Sequence, residues 1–187
     1  KILFMGTPDI AKESFVEGEY AKAMEYAMSI AEHNACMGKI VAAPTAGSCG
    51  VLPAVLLSYA EDYNVDDEKM IHALYIAAGI GKVIAENASI AGASGGCQAE
   101  IGSASAMAAG ALTYLQGGDP TAIIHGAALA LKNFLGLVCD PVGGLVEVPC
   151  IKRNSYGAVN AVVSSQLVMA GIRSAISPDD VIDSMKR

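Results

Sequence analysis

The sequence predicts an all-α fold, a compact multi-helix bundle whose helices are separated by glycine-rich breaks. Apolar residues recur at three- and four-residue spacing along most of the chain, and no run shows the alternation of a half-buried strand. Aromatic residues make up only 5% of a chain that is 53% hydrophobic, so small and aliphatic side chains dominate, as suits closely packed helices. A length of 187 residues predicts a single domain over residues 1–187.

The first half of the chain contains three predicted helices. Residues 2–5 fit either a short strand or a frayed entry. Apolar residues on one side predict a helix from Glu17 to Asn34. A second helix is predicted from Val51 to Tyr63, with a proline in its tolerant first turn. A third is predicted from Asp66 to about Glu86, because its first residues are acidic and suit a helix N-terminus.

The second half predicts helices from Gln98 to Leu115, from Pro120 to Leu135 and from Tyr156 to Ile176. A last helix is predicted to begin at Ser177, which is followed by a proline and two acidic residues. Its helical pattern continues to Arg187, the last residue. Because the sequence lacks an initiator Met and closes within a helix, we expect it to be part of a longer protein, truncated at both ends.

Charge and hydropathy exclude several classes of protein. A net charge of −7 gives no basic surface for nucleic acid or for an acidic membrane. A mean hydropathy of +0.43 suggests the alternative hypothesis of a helical bundle in or on a membrane. Charged residues interrupt too many of the helices for that hypothesis, and the uncharged stretches 101–118 and 154–172 carry polar residues throughout. We interpret both stretches as buried core helices.

Five cysteines include no CxxC pair, which disfavours a disulfide framework and structural zinc. Cys97, Cys139 and Cys150 each lie beside glycine or proline at a predicted helix end, where free backbone N–H groups stabilise a thiolate. Their spacing matches no generic cluster motif, so packing as small buried hydrophobes remains an equal alternative. Cys36 is expected to be such a packed residue. For Cys49 a functional role stays open beside packing, because it lies in a glycine-rich turn.

Three segments carry a resemblance to a known family. The segments 40–52 (IVAAPTAGSCGVL), 85–102 (AENASIAGASGGCQAEIG) and 137–154 (LVCDPVGGLVEVPCIKRN) resemble the catalytic alpha chain, or alpha domain, of the iron–sulfur-dependent L-serine dehydratases. The likeness runs over nearly the whole chain, and the motifs are long and specific.

The resemblance implies a lyase that dehydrates and deaminates L-serine to pyruvate and ammonia. It implies that Cys97, Cys139 and Cys150, on glycine-rich loops, hold a [4Fe–4S] cluster whose open iron takes the substrate hydroxyl as a Lewis acid. No pyridoxal phosphate is implied. The family also has a beta chain or beta domain, which this sequence lacks, and we expect an oligomer in a reducing cytoplasm.

Three further sets of residues are candidates for the substrate site. Thr45, Ala46, Gly47 and Ser48 precede a helix, so their hydroxyls and backbone N–H groups suit the substrate carboxylate; a plain helix-entry turn is the alternative. Ser94 lines a Gly/Ser surface together with Asn87 and Ser89. Lys152 and Arg153 follow a ligand cysteine and would offset cluster charge or meet the carboxylate; a solvated basic pair is the alternative.

The general base for the α-proton is not identified. His33, His72 and His125 fall on helices where packed or surface roles are commoner, so we expect the base to come from the beta part. Two other functions stay open. One is a redox or iron-sensing module with a fourth thiolate from Cys49 or Cys36. The other is a related desulfidase or dehydratase acting on threonine or cysteine.

Overall fold

The structure, a computed structural model, describes residues 18–145 and 147–186. Helices dominate these ranges, which contain no strand, so the all-α prediction is confirmed. The prediction for residues 2–5 lies outside the described residues. The α-helices, in chain order, are α1 (Glu19–Ala35), α2 (Val51–Tyr63), α3 (Asp67–Asn87), α4 (Gly92–Cys97), α5 (Ser103–Leu115), α6 (Pro120–Lys132), α7 (Glu147–Met169) and α8 (Pro178–Met185).

Three of the helices begin at a residue whose side chain caps them. The side chain of Asp66 accepts a hydrogen bond from Lys69 N at 2.8 Å at the start of α3. The caps of α6 and α8 are Asp119 and Ser177, and each bonds a backbone N–H three residues further on. Each cap satisfies a backbone donor that the helix itself leaves free, which fixes where the helix begins.

Helix α5 lies at the centre of the bundle and packs against α2, α3, α6 and α7. Twelve of its thirteen residues are buried, most of them Ala, Ser or Gly, so the surrounding helices approach closely. Buried hydroxyls link α5 to α7: Ser105 Oγ donates to the Gly157 carbonyl at 2.8 Å, and Thr113 Oγ1 donates to Ser165 Oγ at 2.9 Å. Close packing and these bonds offset the weaker helix propensity of the Ser, Thr and Gly residues among the alanines.

Both predicted boundaries of α7 were wrong, and α6 ends at Lys132 rather than at the predicted Leu135. Helix α7 starts at Glu147, nine residues before the predicted Tyr156, because Pro149 lies in the first turn, where its missing N–H costs nothing. It also ends at Met169 rather than Ile176. Gly171 has φ +86°, and the amides of residues 171 and 172 bond back to the carbonyls of residues 168 and 167, which closes the helix.

The segment before α5 also differs from the prediction of one helix from Gln98 to Leu115. Residues Gln98–Gly102 form a π-helical turn, and the predicted glycine-rich loop before it contains the short helix α4. Single π-helical turns of this kind are frequent at functional sites. A second short element, the 3₁₀ turn Ala46–Ser48, leads into α2.

Candidate metal centre

Cys97 ends α4 directly beside the backbone of Cys139. Gly96, the residue before it, has φ +73°, and a Cβ on Gly96 would lie 2.9 Å from the Leu137 carbonyl oxygen and 3.3 Å from Cys139 N. The Gln98 amide donates to the same Leu137 carbonyl at 2.9 Å. Only glycine permits both this φ and this approach, so the GGC sequence lets the backbone just before Cys97 pack against the backbone of residues 137–139.

Cys150 lies in the first turn of α7 and is tied to the turn before α2 by Asn154. The Asn154 side chain is fully buried and donates to the carbonyls of Cys150, at 2.7 Å, and Gly47, at 2.8 Å. Its Oδ1 accepts a hydrogen bond from Gly50 N at 2.9 Å. One amide group therefore fixes the cysteine backbone against the Thr45–Ser48 segment. Sequence reasoning did not single out Asn154.

The sulfurs of Cys97 and Cys150 meet a carboxylate. Both side chains are buried, Glu100 is half-buried, and one ligand atom from each of the three residues lies within 4.8 Å of the others. Thiolate and carboxylate donors at this separation form a candidate metal site. Sequence reasoning missed Glu100, although its spacing of three residues from Cys97 was a possible signal.

Cys139 is exposed in the segment that follows α6. Its neighbour Asp140 pairs with the guanidinium of Arg153, which also donates to Cys97 Sγ at 2.9 Å. Arg153 therefore connects the Cys139 segment to the buried sulfur of Cys97. The guanidinium of Arg153 thus contacts the sulfur of Cys97 and the carboxylate of Asp140, both within this chain.

The two buried thiols titrate as a pair. The Cys150 thiol donates a hydrogen bond to Cys97, and together with the nearby Arg153 guanidinium it lowers the pKa of Cys97 to about 6. The same hydrogen bond, reinforced by burial, raises the pKa of Cys150. The lowered pKa favours a thiolate on Cys97, and the raised pKa favours the remaining proton on Cys150.

The predicted carboxylate-binding turn already faces a carboxylate. Thr45 Oγ1 donates to Glu100 Oε1, and a Cβ on Gly47 would lie 2.6 Å from the same oxygen. The Ala46 carbonyl accepts a hydrogen bond from a side chain of α1 at 3.0 Å. Ser48 is fully buried, and its Oγ lies 3.1 Å from Thr45 Oγ1. The turn is thus a polar surface adjacent to the two buried sulfurs.

The other predicted substrate-binding residues lie on nearby elements. Ser94 is exposed on α4, with its Oγ 3.5 Å from that of Ser89. Asn87 is also exposed and bonds the Val83 carbonyl of its own helix at 2.8 Å. Lys152 is exposed on α7 next to Arg153, which is half-buried. Of these predicted residues, Arg153 is the one with a described contact to either of the two sulfurs.

The remaining cysteines and the histidines are not members of the three-donor group, although the charge of Glu100 contributes to the raised pKa of Cys49. Cys36 is exposed beyond α1. Cys49 is buried with its sulfur 4.0 Å from the Ile30 carbonyl, and burial raises its pKa. His72 Nδ1 lies 3.3 Å from the Tyr114 hydroxyl. His33 is in the last turn of α1, and His125 is on α6 with a buried ring nitrogen.

Across the described ranges, none of the helices combines the length and the apolar character that crossing a membrane requires.

Comparison with known proteins shows a close likeness over nearly the whole sequence. A family model described as serine dehydratase alpha chain matches residues 4–187. The probable L-serine dehydratase alpha chain of Bacillus subtilis is 53% identical over 87% of this chain and 54% of its own length. The L-serine dehydratase alpha chain of Peptoniphilus asaccharolyticus is 50% identical over 92% of this chain and 59% of its own length.

A third relative, L-serine dehydratase TdcG of Escherichia coli, is 45% identical over 86% of this chain but only 36% of its own length. The chain thus spans little more than half the length of the relatives from Bacillus subtilis and Peptoniphilus asaccharolyticus, and about a third of the length of the relative from Escherichia coli.

Proposed function

The chain belongs to the serine dehydratase alpha chain family, and we propose that it forms the catalytic alpha domain of an L-serine ammonia-lyase, which converts L-serine to pyruvate and ammonia. The observation that carries the proposal is the meeting of Cys97 and Cys150, buried on two separate elements, beside the polar Thr45–Ser48 turn. Relatives named L-serine dehydratase, up to 53% identical, support the choice of substrate.

Two of the three cysteines proposed as cluster ligands lie close together, which supports a cluster held by three thiolates. Cys97 and Cys150 supply two buried sulfurs, and Cys139 follows a segment whose backbone lies against Gly96. Arg153, beside Cys97 Sγ, supplies a positive charge that offsets thiolate charge. We propose that these three cysteines hold a [4Fe–4S] cluster; when bound, such a cluster supplies an open iron as a Lewis acid for a substrate hydroxyl.

The chain's own residues would orient the substrate and stabilise the ligands. The Thr45–Ser48 turn leads into the start of α2, so its backbone N–H groups favour an anion such as the substrate carboxylate, whereas the Thr45 hydroxyl is already donated to Glu100. Ser94 and Lys152 add exposed polar groups on α4 and α7. Arg153, held by Asp140, adds to the effect of Cys150 in lowering the pKa of Cys97, and its guanidinium donates a hydrogen bond to the Cys97 sulfur.

The α-proton acceptor is proposed to come from a second chain or domain. The name alpha chain, printed for the relatives of Bacillus subtilis and Peptoniphilus asaccharolyticus, supports a beta partner. A base delivered across an interface would complete the site only in the assembled enzyme, which we propose to be an oligomer. The reduced thiols that the site needs favour a reducing compartment such as the cytoplasm.

The proposal is tested on full-length protein purified without oxygen. Iron and acid-labile sulfide are measured first, and pyruvate is then measured after addition of L-serine. We expect Cys97→Ser, Cys139→Ser and Cys150→Ser each to abolish the brown chromophore and pyruvate formation, because each removes a ligand. Cys36→Ser is the matched control, since Cys36 is exposed and is not among the grouped donors, and it should retain both. Loss of the chromophore only in the Cys36 variant would reject the ligand set.

The role of the beta part has its own test. Residues 1–187, reconstituted with iron and sulfide, should bind the cluster but form pyruvate far more slowly than the full-length enzyme. Full activity of the reconstituted fragment would show that the base lies within these residues.

A further inference from the structure

The polar turn before α2 lies against the carboxylate of Glu100. Thr45 donates a hydrogen bond to one oxygen of this carboxylate, Oε1. A Cβ on Gly47 would lie 2.6 Å from the same oxygen, and a Cβ on Gly92 would lie 2.9 Å from the other oxygen, Oε2. The two glycines therefore leave room for a carboxylate between the turn and the start of α4.

Positive charge is scarce around this carboxylate. Among the residues that the structure describes, no cationic side chain forms an ion pair with Glu100, and no group donates a hydrogen bond to its Oε2. The Arg153 guanidinium instead contacts Asp140 and the Cys97 sulfur. A half-buried carboxylate beside sulfurs that become thiolates is costly until a positive charge meets it.

An α-amino acid carries both of the charges that this arrangement is suited to bind. The proposed function places the substrate carboxylate at the backbone N–H groups of the Thr45–Ser48 turn. The ammonium group is bonded to the carbon that bears this carboxylate, so the partner of the ammonium has to lie beside the same turn. Glu100 meets this requirement, because Thr45 belongs to the turn and donates to the Glu100 carboxylate.

We propose that Glu100 binds the α-ammonium group of the substrate, so that the site selects α-amino acids over carboxylic acids that lack the amine. The inference rests on the proposed function for the place of the substrate carboxylate. It leaves the cysteine sulfurs to the cluster and gives Glu100 no role as a metal ligand. An ammonium group donates charge-assisted hydrogen bonds to a carboxylate, and the loss of one such bond weakens binding by about 10- to 100-fold.

The binding of two small acids to the full-length, cluster-containing protein tests this contact. L-alanine and propionate differ only in the ammonium group, and neither has a hydroxyl to lose, so calorimetric titration measures their binding without turnover. We expect the parent to bind L-alanine about 10- to 100-fold more tightly than propionate. Glu100→Gln keeps the size of the side chain and an oxygen for the Thr45 hydroxyl but removes the charge. It should lose most of the preference for L-alanine and still bind propionate.

Two other variants show whether charge is the cause. Glu86→Gln is the matched control, because Glu86 is exposed and pairs with Lys82 of its own helix, and it should keep the preference of the parent. Glu100→Asp retains the charge on a shorter side chain and should keep part of the preference. With L-serine as substrate, Glu100→Gln should raise KM more than it lowers kcat, because the ammonium group is bound before and during the reaction.

Three results would overturn the inference. They are equal affinity of the parent for L-alanine and propionate, an unchanged preference in a folded Glu100→Gln variant, and loss of iron from that folded variant. The comparison within the parent needs no substitution, so it decides the matter even if the variants fold poorly. Failure of the proposed function gives a different result, since absence of pyruvate from L-serine would reject the lyase while the preference for L-alanine does not depend on turnover.

Discussion

Replacing Asn154 by alanine removes the side chain that joins α7 to the Thr45–Ser48 turn. The change deletes the acceptor of the buried Gly50 N–H and the donors to the carbonyls of Gly47 and Cys150. An unsatisfied buried donor costs about 1–3 kcal/mol, and each of the two other bonds contributes about 0.5–1.5 kcal/mol. We therefore expect the free energy of unfolding to fall by about 2–6 kcal/mol, a large part of the stability of an ordinary domain.

The loss is measured by urea unfolding followed by circular dichroism, with hydrogen exchange at the Gly50 amide as a local probe. Asn87→Ala is the matched control, because Asn87 is exposed and bonds only a carbonyl of its own helix. We expect the control to change stability by less than about 0.5 kcal/mol. A loss below about 1 kcal/mol in Asn154→Ala, with the Gly50 amide still protected, would refute the view that this amide clamps the site.

Three further predictions concern burial, backbone conformation and charge. Burial raises the pKa of Glu32 to about 7 from 4.5, so the folded state holds a proton that the unfolded state releases. Stability should then decline as pH rises from about 4.5 to about 7, by up to about 3 kcal/mol, and urea titrations of Glu32→Gln should lack this decline. Gly96→Ala should lower the thermal midpoint and speed proteolysis after α6, because φ +73° and the 2.9 Å approach to the Leu137 carbonyl oppose a side chain. Arg153→Met should raise the pKa of Cys97 in cluster-free protein, seen as thiolate absorbance appearing at higher pH; an unchanged titration would contradict the assigned charge effect.

Helix starts governed by local chemistry could be predicted from the sequence. The side chains of Asp66, Asp119 and Ser177 each satisfy a free amide within the same turn, so four residues of sequence are enough to identify them. The start of α7 was missed because its first turn contains a proline and follows two glycines, and both are equally typical of a loop. The π-helical turn at Gln98–Gly102 has no local signature of its own.

The contents of the candidate site were only partly predictable. The setting of Cys97, Cys139 and Cys150 beside glycine and proline drew attention to them, although it could not establish that they meet. Glu100 and Asn154 resembled ordinary helix residues, because what distinguishes them are contacts to residues more than fifty positions away. Such contacts follow from packing, which a single sequence does not display.

The misplaced start of α7 also hid how the site is organised. Cys150, Arg153 and Asn154 stand at positions i, i+3 and i+4, which share one face only if the segment is helical. With α7 beginning at Glu147, that face carries a sulfur donor, the cation that contacts Cys97 Sγ, and the amide that fixes the Gly47 backbone. A loop would have to order these three side chains separately, at an entropic cost for each, whereas a helix held by the core orders them together. The first two turns of α7 are therefore the element that joins the sulfur pair to the polar turn.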